Sequence, residues 1–543
     1  MSHRNPPDSG LDTNPVTLQG EFSKKLVTNT YFNFLGRSWN FLVALLLTPF
    51  ILAHLDMHEF GTWIILSIFI SPNASYNLLD FGLGSAFVKH VAEFYTHRDF
   101  GRINRVLFSG LAFYVVFGIL LLAVGLLLED LLFGLFHITN ASTAYLLVLL
   151  SCGVSNVSAM FLSVFKGIQR MDRSNALEIK ISICHAIGTI VFLKLGWGVL
   201  GLAANALLNA CFATLLCWWA LGRLVPQISP GWHFDRKLLW DMFVYGIKMQ
   251  ISQIGGFICF RMDKLIVSRF LGVAPVSFFE VSSRLTSFMR ALPHVMISAL
   301  IPATSELGAR NDRARILRTY LLASKYVAML TVALVAFLVL EARSLITLWL
   351  GSGFESSVIL VQILAIGYGA NVLGGAASQT GAGIGRPEFD MRSTVLLSLL
   401  NPVLSLVLVQ QFGAPGAAAG TSVAFIVATM YLLVAFHRHY VQNSVRKVLR
   451  EVYLRPIAAG AVAGLAVLAF HRLTPQLESW EAVRHLAPLK VAADFGIFAS
   501  LYIVLLITFR QVTAIDWNNF VGLISFSSEF LRHPFRERVK IYR

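Results

Sequence analysis

Ten charged side chains stand inside the first twelve long apolar runs of this 543-residue chain, away from the ends of those runs. Seven are cations: Arg37, Lys248, Arg261, Lys264, Arg284, Arg290 and Lys325; three are anions: Asp80, Asp263 and Glu280. A charge at the centre of a bilayer costs about 2.5–3.5 kcal/mol on insertion scales and is kept where it meets water, a partner or a ligand. The surplus of positive charge implies an anionic cargo, with the cations as its binding groups and the three carboxylates as candidates for proton or sodium coupling. At 1.5 Å per residue, Arg37 and Lys248 each sit about 12 Å inside the inner end of the first helix of their half, where they could face each other. Lys325 lies at similar depth, Arg290 falls mid-helix, and Arg261, Lys264 and Arg284 belong to the outer half. Three structural alternatives compete: a Glu280–Arg284 pair four residues apart, snorkelling of Arg261 and Lys264 to headgroups, and use of Asp80 as a backbone cap beside Gly82 and Gly84.

The runs holding these charges define the fold class. Hydrophobic residues make up 56% of the chain and charged residues 13%, against about a quarter charged in soluble domains. Apolar runs long enough to span a ~30 Å core recur about fourteen times, so the expectation is an all-α polytopic membrane protein. The thirteenth run, 453–471, is the weakest, because Pro456 interrupts it early.

The chain also repeats itself. Glu93, Asp99, Arg102 and Arg105 recur 213 residues later as Glu306, Asp312, Arg315 and Arg318. Gly167 to Asp172 is answered by Gly383 to Glu388 at an offset of 216, and Gly198, Gly201, Ala203 and Ala204 by Gly413, Gly416, Ala418 and Ala419 at 215. Three matches in one order mark a duplication. The expected organisation is a tail over 1–28, a six-helix bundle over 29–222, a linker over 223–239, a second bundle over 240–437, a link and helix pair over 438–509, and a basic amphipathic tail over 510–543. Of 44 Lys and Arg, 31 fall on one side of these spans and only Lys194, Arg269, Arg343, Arg472, Arg484 and Lys490 on the other. The positive-inside rule then places both termini in the cytoplasm. The net charge of +15 thereby reads as a surface facing anionic lipid, not nucleic acid. The repeated Glu93/Asp99/Arg102/Arg105 and Glu306/Asp312/Arg315/Arg318 sets read as salt bridges ordering cytoplasmic gates.

Enzyme chemistry finds no support. No connection is long enough for a catalytic domain. His54, Asp56, His58 and Glu59 read as an ordinary polar loop, His437 and His439 as interface histidines, and the five cysteines as packing residues with no disulfide or metal role. Gly381 to Gly385 and the Ala370/Gly374 pair read as close helix packing. No cofactor or metal is expected.

Leu78 to Glu93 (LLDFGLGSAFVKHVAE), Asp263 to Val267 with Gly272, Phe278 to Leu285, and Leu348 to Phe354 resemble the polysaccharide transporter family. That family includes the O-antigen and other lipid-linked oligosaccharide flippases of the multidrug/oligosaccharidyl-lipid/polysaccharide superfamily, and the similarity covers roughly residues 25–440. The resemblance implies a V-shaped pair of bundles that moves a polyprenyl-pyrophosphate-linked glycan (O-antigen, capsule or exopolysaccharide unit) across the bacterial inner membrane by alternating access. Cavity arginines engage the pyrophosphate in such flippases, and Arg37 has the appropriate place. Expected partners are that glycan, membrane lipids and glycan polymerase or assembly proteins. A multidrug or small-molecule antiporter, a lipid II flippase and a noncatalytic assembly scaffold are the alternatives; an antiporter would need buried carboxylates to dominate, and here they are outnumbered.

Overall fold

The computed structural model describes Trp39 and residues 42–68, 78–228, 234–441, 445–474 and 487–512. Arg37, the tail over 1–28 and the amphipathic tail from residue 513 onward lie outside the described residues. Every described element is helical, and ten of the helices are long and apolar enough to cross a membrane. The protein is an all-α, multi-span membrane protein.

The first repeat runs through α1 (Leu42–Leu52), α2 (Met57–Ser67) and α3 (Leu83–Thr96), then the long helices α4 (Phe100–Leu127), α6 (Ser142–Gly167), α7 (Met171–Lys194) and α8 (Gly198–Leu224), with short α5 (Glu129–Phe136) after α4. The second repeat follows the same order. It runs through α9 (Arg236–Leu271), α10 (Ala274–Ser298) with α11 (Leu300–Ala309), α12 (Arg313–Leu340), short α13 (Ala342–Leu350), α14 (Ser356–Gly383) and the long α15 (Glu388–Phe436). Helix α15 holds two spans in series, because Gly413, at φ 65° and ψ −145°, bends it where only glycine sits easily. A π-helical turn, His437–Val441, and a short helix, α16 (Val445–Val448), lead to the closing pair, α17 (Arg455–Leu473) and α18 (Ala487–Thr508). Pro456 does not break the thirteenth span; it opens α17 at the first turn, where its missing N–H has no partner to lose.

By contacts the chain divides into two compact units, residues up to Glu280 with Val409–Ala417, and Val281–Leu408 with Ala418 onward. Within the first, α6 is the most enclosed span and α4 the least: Val116, Ile119 and Leu120 of α4 turn 66, 65 and 57% of their surface outward, as apolar residues facing acyl chains do. The core joins Leu83, Phe87 and Val91 of α3 to Val106, Tyr114, Met160, Val164 and Phe165. Within the second unit, Tyr320, Ala376, Phe389 and Phe436 form one core. Ala459, Val467, Phe498 and Tyr502 of the closing pair form another with Met329, Val332 and Ala333 of α12.

The duplication is visible in backbone angles. Asp99 (φ −87°, ψ 75°) caps α4 and Asp312 (φ −85°, ψ 73°) caps α12; both helices have 28 residues. The preceding residues, Arg98 and Asn311, are left-handed at φ 56° and 55°. Gly167 crowds Val88 and Val91, and 216 residues later Gly383 crowds Ile301 and Thr304, so the same helix crossing is built twice.

Candidate functional site

The first unit centres on a break in the second span. Leu78–Asp80 form a 3₁₀ turn, and Phe81 and Gly82 then take left-handed conformations before α3 begins. Asp80 is buried and its carboxylate is committed: Tyr114 Oη donates to Oδ1 at 2.5 Å and the Gly84 N–H to Oδ2 at 2.9 Å. Asn156 and Gln250 side chains donate to the carbonyls of Leu79 and Leu78, at 3.2 and 3.0 Å. The turn exposes carbonyls that no helix satisfies, and these groups satisfy them. A Cβ on Gly82 would stand 2.0 Å from the Gly246 carbonyl oxygen, so the joint presses directly on α9. Of the readings open for Asp80, the geometry matches the backbone cap. Lys248, two residues beyond Gly246, is exposed on α9, and Lys89 lies over the Tyr245 ring at 4.5 Å.

Further along α9 the cations are tied to protein. Arg261 Nη1 donates to the Ile68 carbonyl at 2.5 Å, closing the end of α2. Lys264 ion-pairs with Glu280 in a nearly buried contact; Asp263 is buried beside it in sequence. Arg261 therefore holds a helix terminus instead of snorkelling, and Glu280 has a partner on α9 that its spacing to Arg284 did not predict. Arg284 is half-buried. The histidine and acid loop before α2 is a capping box: the Glu59 N–H donates to Asp56 Oδ1 at 2.7 Å while Glu59 Oε2 accepts from the Asp56 N–H.

In the second unit, the Arg290 guanidinium lies 5.0 Å from the Tyr368 ring centroid, a cation–π arrangement one turn before Pro293. The sequence-selected cations Arg318 and Lys325 come together in a cavity of about 630 Å³. Arg455 and Arg510 complete its charged lining, Glu451 is the one acid there, and Leu317, Leu321, Leu322, Val448 and Val452 form an apolar wall. Arg318 and Lys325 are seven residues apart, two turns of one helix face, so α12 sets their spacing. The closing helices bring the rest. Arg455 and Arg510 carry no signal as single residues; Arg455 precedes one apolar run and Arg510 follows another, and each reads as an interface charge until the pair folds onto α12.

Among the repeated gate sets, Arg102 and Arg315 each pair back to their cap, at 3.2 Å from Asp99 and 3.1 Å from Asp312. Glu93 lies 4.0 Å from His90, Arg105 stands 4.0 Å from Asp235, and Glu306 binds Arg310 at 2.7 Å. Apart from the largely buried His90, these side chains are exposed enough for solvent to weaken the pairs. His437 is buried, with Nδ1 on the Leu433 carbonyl and Nε2 3.4 Å from Tyr320 Oη, and His439 is exposed. None of the five cysteines is in a disulfide among the described residues.

A second polar group gathers beyond α12. Glu341, Ser344, His471, Lys490 and Asp494 are all buried, with His471 Nε2 2.8 Å from Asp494 Oδ1. Lys490, which counts as an outer-connection charge in sequence, is inside α18. Burial pushes the Glu341 carboxyl up from its ordinary range, partly offset by a hydrogen bond from Ser344.

Residues 51–359, more than half of the chain, match the family model of polysaccharide biosynthesis proteins. The chain belongs to that family. A probable low-salt glycan biosynthesis flippase, Agl15, of Haloferax volcanii is 23% identical over 299 residues, 54% of this chain and 60% of that protein. The chain thus spans about three fifths of that relative. A putative O-antigen transporter of Shigella flexneri is 21% identical over 417 residues, 75% of this chain and 96% of the transporter. Among solved structures, the inward-closed lipid II flippase MurJ superposes with a TM-score of 0.66 at 17% identity, covering 89% of this chain and all of that one. An inward-facing multidrug resistance MATE transporter of the MOP superfamily gives 0.63 at 18% identity, covering 77% and 96%. These likenesses place the family member on the fold those transporters share.

Proposed function

We propose that this polysaccharide biosynthesis family member is an inner-membrane flippase. Its cargo is an anionic polyprenyl-pyrophosphate-linked oligosaccharide, carried from the cytoplasmic to the outer leaflet by alternating access along a cationic path. The observation that carries this reading is the cavity at the N-terminal end of α12: four cations to one acid beside a wall of leucine and valine. A pyrophosphate asks for several Lys or Arg donors, and a prenyl chain asks for apolar surface. A cationic drug would meet the wrong sign of charge there. The names of the Haloferax and Shigella relatives agree in direction. Lys248, Arg290 and Arg37 are carried as further candidate cargo-binding cations, and the Asp99–Arg102 and Asp312–Arg315 caps as elements that order cytoplasmic gates.

Energetics favour export without an obligatory coupling ion. Moving one charge through the full potential is worth about 2.3 kcal/mol per 100 mV, so a cargo of about two negative charges gains roughly 4–5 kcal/mol on leaving a negative interior. The test uses proteoliposomes loaded with a fluorescent polyprenyl-pyrophosphate glycan. Arg318→Ala with Lys325→Ala should slow flipping at least about tenfold while leaving folding and insertion intact. Unchanged flipping in that variant, or flipping of a neutral polyprenol glycan at equal rate, would refute the reading.

A further inference from the structure

The two repeats differ at one place that neither packing nor the cargo path explains. Leu128 and Leu131 of the first repeat are exposed apolar residues. Their equivalents 213 positions on are Glu341 and Ser344, exposed by 2 and 4%. Around these stand His471, at the end of α17, and Lys490 and Asp494, in the first turns of α18. One donor atom from each of Glu341, His471 and Asp494 lies within 4.8 Å of the other two. Lys490 Nζ donates to Ser344 Oγ at 3.3 Å. Two carboxylate oxygens in this cluster, Glu341 Oε2 and Asp494 Oδ2, are buried without a hydrogen-bond partner. Each such oxygen is costly to leave unmet, and the two belong to carboxylates of one cluster.

We infer that Glu341, His471 and Asp494 bind one divalent transition-metal ion of the Zn²⁺ or Mn²⁺ class. Two carboxylates and an imidazole, with no sulfur, form the nitrogen–oxygen donor set such ions take, and three protein ligands are a common complement. Tetrahedral ligands at about 2.0–2.1 Å put donor atoms about 3.3 Å apart, so binding would draw the three donors in from their observed spacing of up to 4.8 Å. The two carboxylates balance the ion's charge. Lys490 is the built-in competitor: its ammonium supplies positive charge when the ion is absent and yields when it binds. Because the ligands come from the α12–α13 junction, α17 and α18, the ion fastens the closing helix pair to the second repeat. The site lies apart from the cavity of Arg318 and Lys325 and does not depend on the flippase reading.

The experiment uses full-length protein in detergent, stripped with chelator and titrated with Zn²⁺ and Mn²⁺ alone, read by bound metal per chain and by thermal unfolding. One ion per chain is expected, with a rise in melting temperature that His471→Gln and Asp494→Asn abolish. Lys490→Met, which removes the competing ammonium, should tighten binding at least about tenfold. That variant decides the matter if a ligand variant fails to fold. Absence of bound metal in both the wild type and Lys490→Met, or equal binding after loss of His471 or Asp494, would overturn the assignment. So would a cluster that responds to pH alone. None of these readouts uses transport.

Discussion

Helices α4 and α12 begin as copies and end as different objects. Both follow a left-handed residue, both are capped by an aspartate that accepts from the N–H three residues on, and both run 28 residues. Along α4, Val116, Ile119 and Leu120 face outward. The equivalents on α12, Met329, Val332 and Ala333, are covered by the closing pair. Arg105, near the start of α4, stands 4.0 Å from Asp235; its equivalent, Arg318, lines the cationic cavity. At the far end, exposed Leu128 becomes buried Glu341. Duplication fixed the local helix starts, and the later partners decided what each face does. A third helix pair laid against one copy turned a lipid-facing surface into a cavity at one end and a buried polar cluster at the other.

The second span breaks in both repeats by different means. The first uses Asp80 with left-handed Phe81 and Gly82; in the second, α10 runs on through Pro293, the position equivalent to Asp80, and is interrupted only at Ala299, before α11. Gly82→Ala should therefore be the most damaging single change, since its Cβ would meet a backbone oxygen at 2.0 Å in a left-handed conformation. Loss of monodisperse protein in size-exclusion chromatography is expected, and a normal yield would show that the joint relaxes.

A smaller effect separates the paired crossings. Gly383→Ala would place Cβ 2.8 Å from the Ile301 carbonyl, whereas in Gly167→Ala the nearest carbonyl, Val88, is at 3.1 Å. We expect a cost of about 1–3 kcal/mol for the former and less for the latter, read as the order of their melting temperatures; the reverse order would mean that the crossings are not equivalent in stiffness.

Smaller still, Asp99→Ala and Asp312→Ala should each cost about 1 kcal/mol by removing a helix cap, and equally, because the geometries match. A difference of more than twofold in denaturant sensitivity would show that the surroundings, and not the cap, set the contribution. Arg105→Ala should leave glycan flipping near wild type where Arg318→Ala reduces it. Equal rates would dissolve the functional distinction between the two helices.

Much of this protein is legible one residue at a time. The membrane class and the duplication follow from apolar run length and from repeated Asp, Arg and Gly spacings, because hydrocarbon imposes its thickness on any chain that crosses it and a helix start needs the same cap wherever it occurs; ten helices among the described residues are long and apolar enough to span. Asp99, Asp312, Gly198 and Gly413 stand where their spacing placed equivalent features. Of the intramembrane charges picked from sequence, Asp80, Asp263 and Glu280 are buried, and Lys248 is exposed. What each one meets was decided only in three dimensions: Arg261 closes α2, Lys264 finds Glu280, and Arg318 and Lys325 acquire Arg455 and Arg510 from helices more than a hundred residues away. Glu341, His471 and Asp494 each look like a charge at the end of an apolar run. Their meeting depends on how α17 and α18 pack against α12, a contact set by side-chain shape across distant segments, which no local pattern in the sequence encodes.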